Sequence, residues 1–265
     1  MKKLLIATAF FILMLSAFAH EYILIANKYR IAKGDTLEVH LFVADGFNIE
    51  LERPMQTAIT KKFEMITENG TIDLLATTDN GSLPVINRKA DFDGLALIHT
   101  ERDYARITLP TAKFLSYLKE DHIENIKVKN DSSKKFQRER YTRYIKCLVQ
   151  SGKIKKDTLY KTITGQNFEI MLLQNPYLLQ KGDVLKAQVF FMGKPLTNKL
   201  ITARNRTGSE PATAFTSRTN ANGICSFQIK RKGDWFIHAT HMIPCPDKAD
   251  ADWESFWSSY SFGIE

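Results

Sequence analysis

The sequence has little of several residue types that mark special protein classes. Its 265 residues include only 3 Cys, 13 Gly and 8 Pro. So few cysteines exclude a disulfide-dense scaffold, and the low Gly and Pro contents exclude collagen-like and linker-dominated chains. With 44% apolar and 25% charged residues, the composition is that of an ordinary globular protein, long enough for two modest cores.

Motifs of several enzyme and metal-site classes are also missing. The sequence contains no CxxC pair of a structural zinc knuckle, no nucleophile elbow, no phosphate loop and no HExxH. The formal net charge is +8, but the basic residues are spread along the chain without interleaved aromatics. We therefore expect no nucleic-acid partner and interpret the positive charge as a solvated surface.

The first nineteen residues have the pattern of a targeting signal. Two lysines precede an apolar run over residues 4–15, and Ala17 and Ala19 supply the small side chains of a cleavage site. The run is too short to span a bilayer comfortably. We interpret residues 1–19 as a cleaved signal peptide. We expect a periplasmic or secreted protein that does not span a membrane after processing and whose mature chain begins at His20.

Short alternating runs between turn signals dominate the remaining sequence, a pattern typical of sandwich strands. Residues 36–43 alternate apolar and polar side chains, and a Lys-Gly-Asp turn precedes such a strand twice, at residues 33–35 and 181–183. We predict a mainly β protein with two immunoglobulin- or transthyretin-like β-sandwich domains, residues 20–165 and 166–265. The first domain is expected to carry one or two helical insertions.

Helical period appears in one part of the N-terminal domain. Residues 110–123 have apolar side chains at helical spacing, and Pro110 suits the first turn. The polar residues 130–140 are expected to form a solvated helix or loop. Residues 141–150 fit either a helix face or a strand, and a strand is favoured for residues 144–150.

Three cysteines remain in the predicted mature chain. In an oxidising compartment Cys225 and Cys245 could form a disulfide, leaving Cys147 free. An odd number of thiols argues equally for no disulfide at all.

His20 is the strongest candidate metal ligand. If the signal peptide is removed after Ala19, the free α-amine and the imidazole Nδ1 of His20 can chelate one ion. The pKa of a free α-amine is about 7.7–8.0, so a late transition-metal ion can displace its proton at neutral pH. One further imidazole would complete a T-shaped set of three nitrogens, a histidine brace, which favours Cu or Ni ions, with Co and Zn behind.

The third nitrogen could come from five other histidines. His238 and His241 lie on one predicted strand, where alternation places them on opposite faces. We expect His241 to be the ligand because it ends this strand beside a polar loop. His99 is an intermediate candidate, whereas His40 and His122 are expected on solvated surfaces.

The C-terminal loop offers two weaker alternatives. The acidic stretch over residues 250–254 could suggest calcium, but it lacks the glycine and the ligand spacing of an EF-hand. Trp253, Phe256 and Trp257 are predicted to pack as a lid over the sandwich edge, with glycan stacking as the alternative.

The chain resembles an exported family with a domain of unknown function, usually described as the periplasmic component of cobalt or nickel ABC transport (NikM-like). The segments that carry the resemblance are HEY at 20–22, LPTAKFLSYLKED at 109–121, RERYTRYIK at 138–146, NPY at 175–177, KGD at 181–183, GKPL at 193–196, the stretch 235–241 and DADWES at 250–255. The resemblance covers nearly the whole predicted mature chain.

The resemblance implies export, a β-sandwich architecture and a transition-metal role. Matching the segments carries metal-ligand roles over to His20, His241 and, more loosely, Glu254. This sequence has Asp45 and Gly46 where many members of the family are expected to carry a Gly-His pair. Either Asp45 replaces that histidine, or the site differs here.

Three functions compete on this evidence. The leading hypothesis is an exported protein that binds Ni, Co or Cu and serves metal uptake or handling, with an ABC-type or energy-coupling metal transporter as its partner. The enzyme alternative is a histidine-brace copper oxygenase acting on a glycan, with Trp253 and Trp257 as stacking residues. The third is a structural envelope or adhesion module. We favour binding over catalysis.

Overall fold

The computed structural model describes residues 21–128, 134–154 and 156–265. The predicted signal peptide and His20 lie outside these residues. The strands are, in chain order, β1 (Glu21–Ala26), β2 (Arg30–Ile31), β3 (Thr36–Asp45), β4 (Asn48–Arg53), β5 (Thr60–Thr67), β6 (Gly70–Asp73), β7 (Ile86–Lys89), β8 (Gly94–Arg102), β9 (Ala105–Pro110), β10 (Phe136–Ser151), β11 (Phe168–Leu172), β12 (Val184–Phe191), β13 (Lys194–Pro195), β14 (Leu200–Arg206), β15 (Thr213–Arg218), β16 (Ile224–Gln228), β17 (Gly233–Pro244) and β18 (Trp253–Ile264). The helices are α1 (Thr111–Glu120) and three 3-10 turns, Thr57–Ile59, Leu159–Lys161 and Pro176–Leu178.

The strands form three sheets. The N-terminal sheet has the order β1-β3-β4, with β7 also paired to β3. The central sheet runs β15-β14-β17-β18-β10-β8-β5-β6, and β2 and β9 pair with β10. The C-terminal sheet runs β11-β12-β13, with β16 paired to β12. Within the described residues, the pairings of β10 with β18 and with β2 are parallel and the others are antiparallel.

The two smaller sheets cover opposite faces of the central sheet. On one face of β18, the Ser259 hydroxyl donates to the Tyr22 carbonyl of β1 at 2.7 Å. On the other face, the ring of Phe256 contacts Phe191 of β12, with centroids 5.0 Å apart. Side chains of a strand alternate between its two faces, so β18 is buried on both. The chain therefore forms two β-sandwiches that share the central sheet, which confirms the predicted mainly β class and sandwich architecture.

The sequence period explains the individual strands. Leu37, Val39, Leu41 and Val43 alternate along β3, and all four are buried, while the residues that separate these four are more exposed. A half-covered strand has this pattern, because every second side chain points into the core.

Helix α1 builds a small second core at one end of the molecule. Its buried face presents Phe114, Tyr117 and Leu118 to Met242 and Trp257. The helix ends at Glu120, three residues earlier than the sequence predicts. His122 follows in the left-handed region at φ 52°, a conformation that a helix cannot continue through.

The expectation of a solvated helix or loop over residues 130–140 is wrong for residues 136–140, which form the first part of β10. Residues 129–133 lie outside the described part. Arg138 and Arg140 are in the strand because their guanidinium groups reach carboxylates of the C-terminal loop, Asp252 and Asp250 among them. The favoured strand over residues 144–150 is confirmed.

The boundary predicted near residue 165 falls between a 3-10 turn and β11. Strands from both sides of it meet in the central sheet, where β10 pairs with β18 over nine residues from Glu139 to Cys147. The division into two domains stays a prediction, whereas the shared sheet is a feature of the structure.

The cysteines are free thiols. Cys147, Cys225 and Cys245 are all buried, and burial raises the pKa of Cys147 and of Cys225 to about 12. The alternative without a disulfide is therefore the one that this structure has. Within the described ranges, no helix is both long enough and apolar enough to cross a membrane.

Candidate metal site

The first described residue, Glu21, is held against a histidine of the central sheet. The Nδ1 atom of His238, on β17, lies 2.9 Å from Oε1 of Glu21. The second carboxylate oxygen of Glu21 accepts a hydrogen bond from the backbone N–H of Gly46 at 2.8 Å. Both side chains are largely buried, with exposed fractions of 12% for His238 and 9% for Glu21.

This contact fixes the proton of the His238 ring. An ionised carboxylate only accepts hydrogen bonds, so the proton on the side facing Glu21 belongs to Nδ1. Burial alone would raise the pKa of Glu21, but His238, Arg204 and the Gly46 N–H together lower it below its ordinary value. The carboxylate is therefore ionised at neutral pH. In the neutral form of the His238 ring with its proton on Nδ1, the lone pair is on Nε2. That Nε2 atom is buried and has no hydrogen-bond partner among the described residues.

A small cleft of about 10 Å³, partly open to solvent, is lined by this pair. It lies between β1, β10, β17 and β18, and its walls include Tyr22, Arg143, Trp257 and Ser259. The Arg143 guanidinium stacks on the Tyr22 ring, 4.0 Å from its centroid. The cleft is thus a narrow opening at the start of β1, lined by both charged and aromatic side chains.

The turn after β3 closes the acidic side of the site. Glu21 pairs with Ala44 across the sheet, and Asp45 is the next residue. Asp45 lies 3.6 Å from Arg204 and is mostly exposed. Gly46 is at φ 64°, and a Cβ there would meet the Arg204 side chain at 2.8 Å. The Asp-Gly pair that departs from the expected family pattern is therefore adjacent to Glu21.

His241 lies on the other face of β17. Its ring packs against Phe191 and Phe168, with centroids 4.4 and 6.0 Å away. Burial, and then the charge of Lys199, lower the pKa of His241 to about 4. It is a neutral core histidine, and the alternation that the sequence predicts for His238 and His241 is present.

Glu254 and its acidic neighbours have cationic partners. Glu254 accepts from the Tyr104 hydroxyl at 2.5 Å and from Arg140 at 2.7 Å. Asp250 is paired with Arg106 at 2.6 Å, and Asp252 with Lys134 at 2.7 Å. Carboxylates already neutralised in this way are poor calcium ligands, so the calcium alternative has no support from this loop.

His99 is buried in the central sheet, with Nε2 3.0 Å from a Glu64 oxygen. The atoms lack the alignment of a hydrogen bond. Burial lowers the pKa of His99 to about 4, although Glu64 opposes this shift. His99 is therefore neutral, like His241.

The described residues do not by themselves form a metal centre. Among them, no group of three or more His, Cys, Asp or Glu side chains could hold an ion. Of the four sequence candidates, His20 lies outside the described part, and His99, His241 and Glu254 each have separate surroundings. Sequence reasoning weighed His238 but preferred His241, and it gave Glu21 no role. The available signal was that Glu21 directly follows His20 and that His238 faces away from His241.

The neutral buried histidines predict an acid-sensitive fold. The pKa of His241 is about 4 in the folded state and 6.5 in the unfolded chain. The contribution of the neutral ring to stability is therefore complete above pH 6.5 and is lost as the pH falls towards 4, because the unfolded chain takes up the proton first. A phenylalanine at position 241 suits the aromatic surroundings. Between pH 7 and 4.5, we expect the free energy of unfolding of His241→Phe to decrease by about 2–3 kcal/mol less than that of the wild type. Urea unfolding at the two pH values measures this, and other groups cancel in the comparison. Equal losses in the two proteins would show that His241 carries none of the acid sensitivity.

Comparison with known proteins gives the family. None of the curated proteins matches the chain. A solved structure described as the D0-D1 domain of Intimin is similar at 12% sequence identity, with 90% of this chain and 96% of that one covered and a TM-score of 0.21. The family model described as Domain of unknown function (DUF4198) matches residues 17–243. The chain therefore belongs to the DUF4198 family.

Proposed function

We propose that this protein is an exported transition-metal-binding protein that binds Ni, Co or Cu ions and serves metal uptake or handling. Zn ions are expected to bind more weakly. The α-amine and the imidazole of His20, as the mature N-terminus, are the proposed first two ligands. The observation that supports this most is the Glu21–His238 contact. It fixes the residue directly after His20 in a cleft that contains a second imidazole.

Two acidic side chains lie near the proposed site, beside the guanidinium groups of Arg143 and Arg204. Glu21 is ionised, and Asp45 lies on the neighbouring turn. An ionised carboxylate attracts metal cations.

Binding is favoured over oxygenase chemistry. A glycan oxygenase would need exposed aromatic rings beside the metal for stacking. Trp257 is instead buried, and its ring stacks on Tyr117 of α1 with centroids 5.9 Å apart. A transporter of the ABC or energy-coupling type is the proposed recipient of the ion.

Calorimetric titration of protein that begins at His20 tests the function. We expect binding of Cu(II) and Ni(II), with Co(II) and Zn(II) weaker. One extra alanine before His20 converts the amine into an amide, which no longer binds through its lone pair. Loss of a group that only orients a metal ligand weakens binding by about 10–100-fold. Because the extension removes a ligand itself, it should weaken Cu(II) binding by more than this.

The alanine extension leaves residues 21–265 unchanged, so a change in affinity can be assigned to the N-terminus. Equal affinity with and without the extension would exclude the amine as a ligand. Failure of all four ions to bind would leave the structural-module hypothesis. N-terminal sequencing of the exported protein establishes which residue begins the mature chain.

A further inference from the structure

We infer that His238, and not His241, supplies the third nitrogen of the metal site, and that Glu21 is its positioning residue. This inference rests on the proposed function, because it takes His20 as the source of the first two nitrogens. It changes the ligand set that the sequence favours and assigns a role to the residue after His20.

The face of β17 decides between the two histidines. β17 pairs with β18 in unbroken register from Gly233 to Pro244, so alternation along it is regular. His238 points to the face that β1 covers, where it meets Glu21. His241 points to the opposite face and lies between Phe168 and Phe191. A ligand on that face would be separated from the start of β1 by the sheet itself.

The His238 ring has the arrangement of a metal-binding imidazole. Such rings donate one N–H to a carboxylate, which fixes the tautomer and increases the basicity of the other nitrogen. Here Nδ1 faces Glu21, and Nε2 is left buried without a partner among the residues described. Buried polar atoms are rarely unpaired in proteins, and an ion on Nε2 would satisfy this one.

Glu21 acts through His238. One of its oxygens faces Nδ1 and the other accepts from Gly46, so both are occupied by protein groups. The Gly46 N–H fixes the carboxylate in place, and the carboxylate in turn fixes the ring plane. Glu21 is therefore expected to determine the orientation of the ligand without binding the ion.

His40 provides a matched control. Its Nδ1 lies 2.6 Å from a Glu52 oxygen and its Nε2 is also buried without a partner in the described part of the chain. It pairs with Ile25, four residues along β1 from Glu21, which places it roughly 14 Å along the strand from Glu21 at 3.4 Å per residue. His40 thus has the same local chemistry at a distance from the N-terminus.

The test compares His238→Ala, His40→Ala and His241→Ala in protein that begins at His20, titrated with Cu(II) alone. His238→Ala should weaken Cu(II) binding by more than the loss of an orienting group does, which is about 10–100-fold. His40→Ala and His241→Ala should leave the affinity unchanged. Thermal unfolding by circular dichroism confirms that each variant is folded. Electron paramagnetic resonance of wild-type protein with Cu(II) should show three coordinating nitrogens, a result that does not depend on any variant folding.

The positioning role of Glu21 requires a measurement that a purely structural role would not affect. Glu21→Gln keeps an acceptor for Nδ1 and should weaken Cu(II) binding less than Glu21→Ala, with the loss for alanine in the range of about 10–100-fold. The resonance of the Glu21→Ala complex should shift from that of wild type, while Glu21→Gln restores it. Identical spectra and affinities in the three proteins would overturn the positioning role.

The outcomes separate this inference from the proposed function. If wild type binds Cu(II), the alanine extension abolishes binding and His238→Ala binds like His40→Ala, the third ligand is elsewhere and only this inference fails. An electron paramagnetic resonance spectrum of the wild-type Cu(II) complex with only two coordinating nitrogens would likewise overturn only this inference. If protein that begins at His20 does not bind Cu(II), both the inference and the proposed function are overturned.

Discussion

Replacing Lys146 with alanine is expected to lower the free energy of unfolding by about 3–5 kcal/mol, because it leaves a buried carboxylate without its cation. The Lys146 ammonium is paired with Glu169, and the exposed fractions of the two side chains are 1% and 2%. It also donates to the carbonyls of Ile170 at 3.1 Å and Thr162 at 3.3 Å. The pair joins β10 to β11, which lie on either side of the predicted domain boundary.

Equilibrium urea unfolding at pH 7 measures this loss. Lys186→Ala is the matched control, since Lys186 is exposed on β12 and a surface substitution of this kind usually changes stability by less than about 0.5 kcal/mol. The double variant Lys146→Met with Glu169→Gln should recover most of the loss, because it removes both charges and keeps an acceptor for the Thr164 N–H. A loss below about 1 kcal/mol in Lys146→Ala would mean that Glu169 is stabilised by other groups.

The fold class could be predicted from the sequence because several strands, such as β3, β12 and β16, are half covered. β3 alternates over residues 37–43, and a two-residue turn, Glu68 and Asn69, joins β5 to β6. Local pattern is sufficient where one face of a strand is buried and the other is solvated.

β10 shows where local pattern fails. Its first residues are charged, yet Arg138 and Arg140 belong to a strand because carboxylates from residues 250–254 neutralise them. The parallel pairing of β10 with β18 joins segments more than 100 residues apart. Neither the ion pairs nor the pairing has a signature within a short window of sequence.

The candidate site could be predicted only in part, for a similar reason. Alternation correctly places His238 and His241 on opposite faces of β17. Which face lies beside the N-terminal strand depends on the side of the central sheet that β1 covers. That is a property of the packed layers, so the preference for His241 could not be corrected from the sequence.

Replacing Trp235 with alanine is expected to lower the free energy of unfolding by about 3–5 kcal/mol, as removal of a large buried aromatic side chain does. Trp235 is fully buried in β17. Its ring stacks on Phe215 of β15 with centroids 5.5 Å apart, and its Nε1–H donates to the Arg231 carbonyl at 3.2 Å. The truncation removes the ring contacts and leaves a cavity that the rigid sheets can only partly close.

Trp235→Phe is the matched variant, because it keeps an aromatic ring against Phe215 and removes only the indole hydrogen bond and part of the volume. Its loss should be about 1–2 kcal/mol, and a loss equal to that of alanine would show that the Arg231 contact, not packing, dominates. Trp235 also shares the face of β17 that carries His241, away from His238. A Trp235→Ala protein that is still folded should therefore bind Cu(II) with wild-type affinity, so the same strand carries stability on one face and the proposed metal ligand on the other.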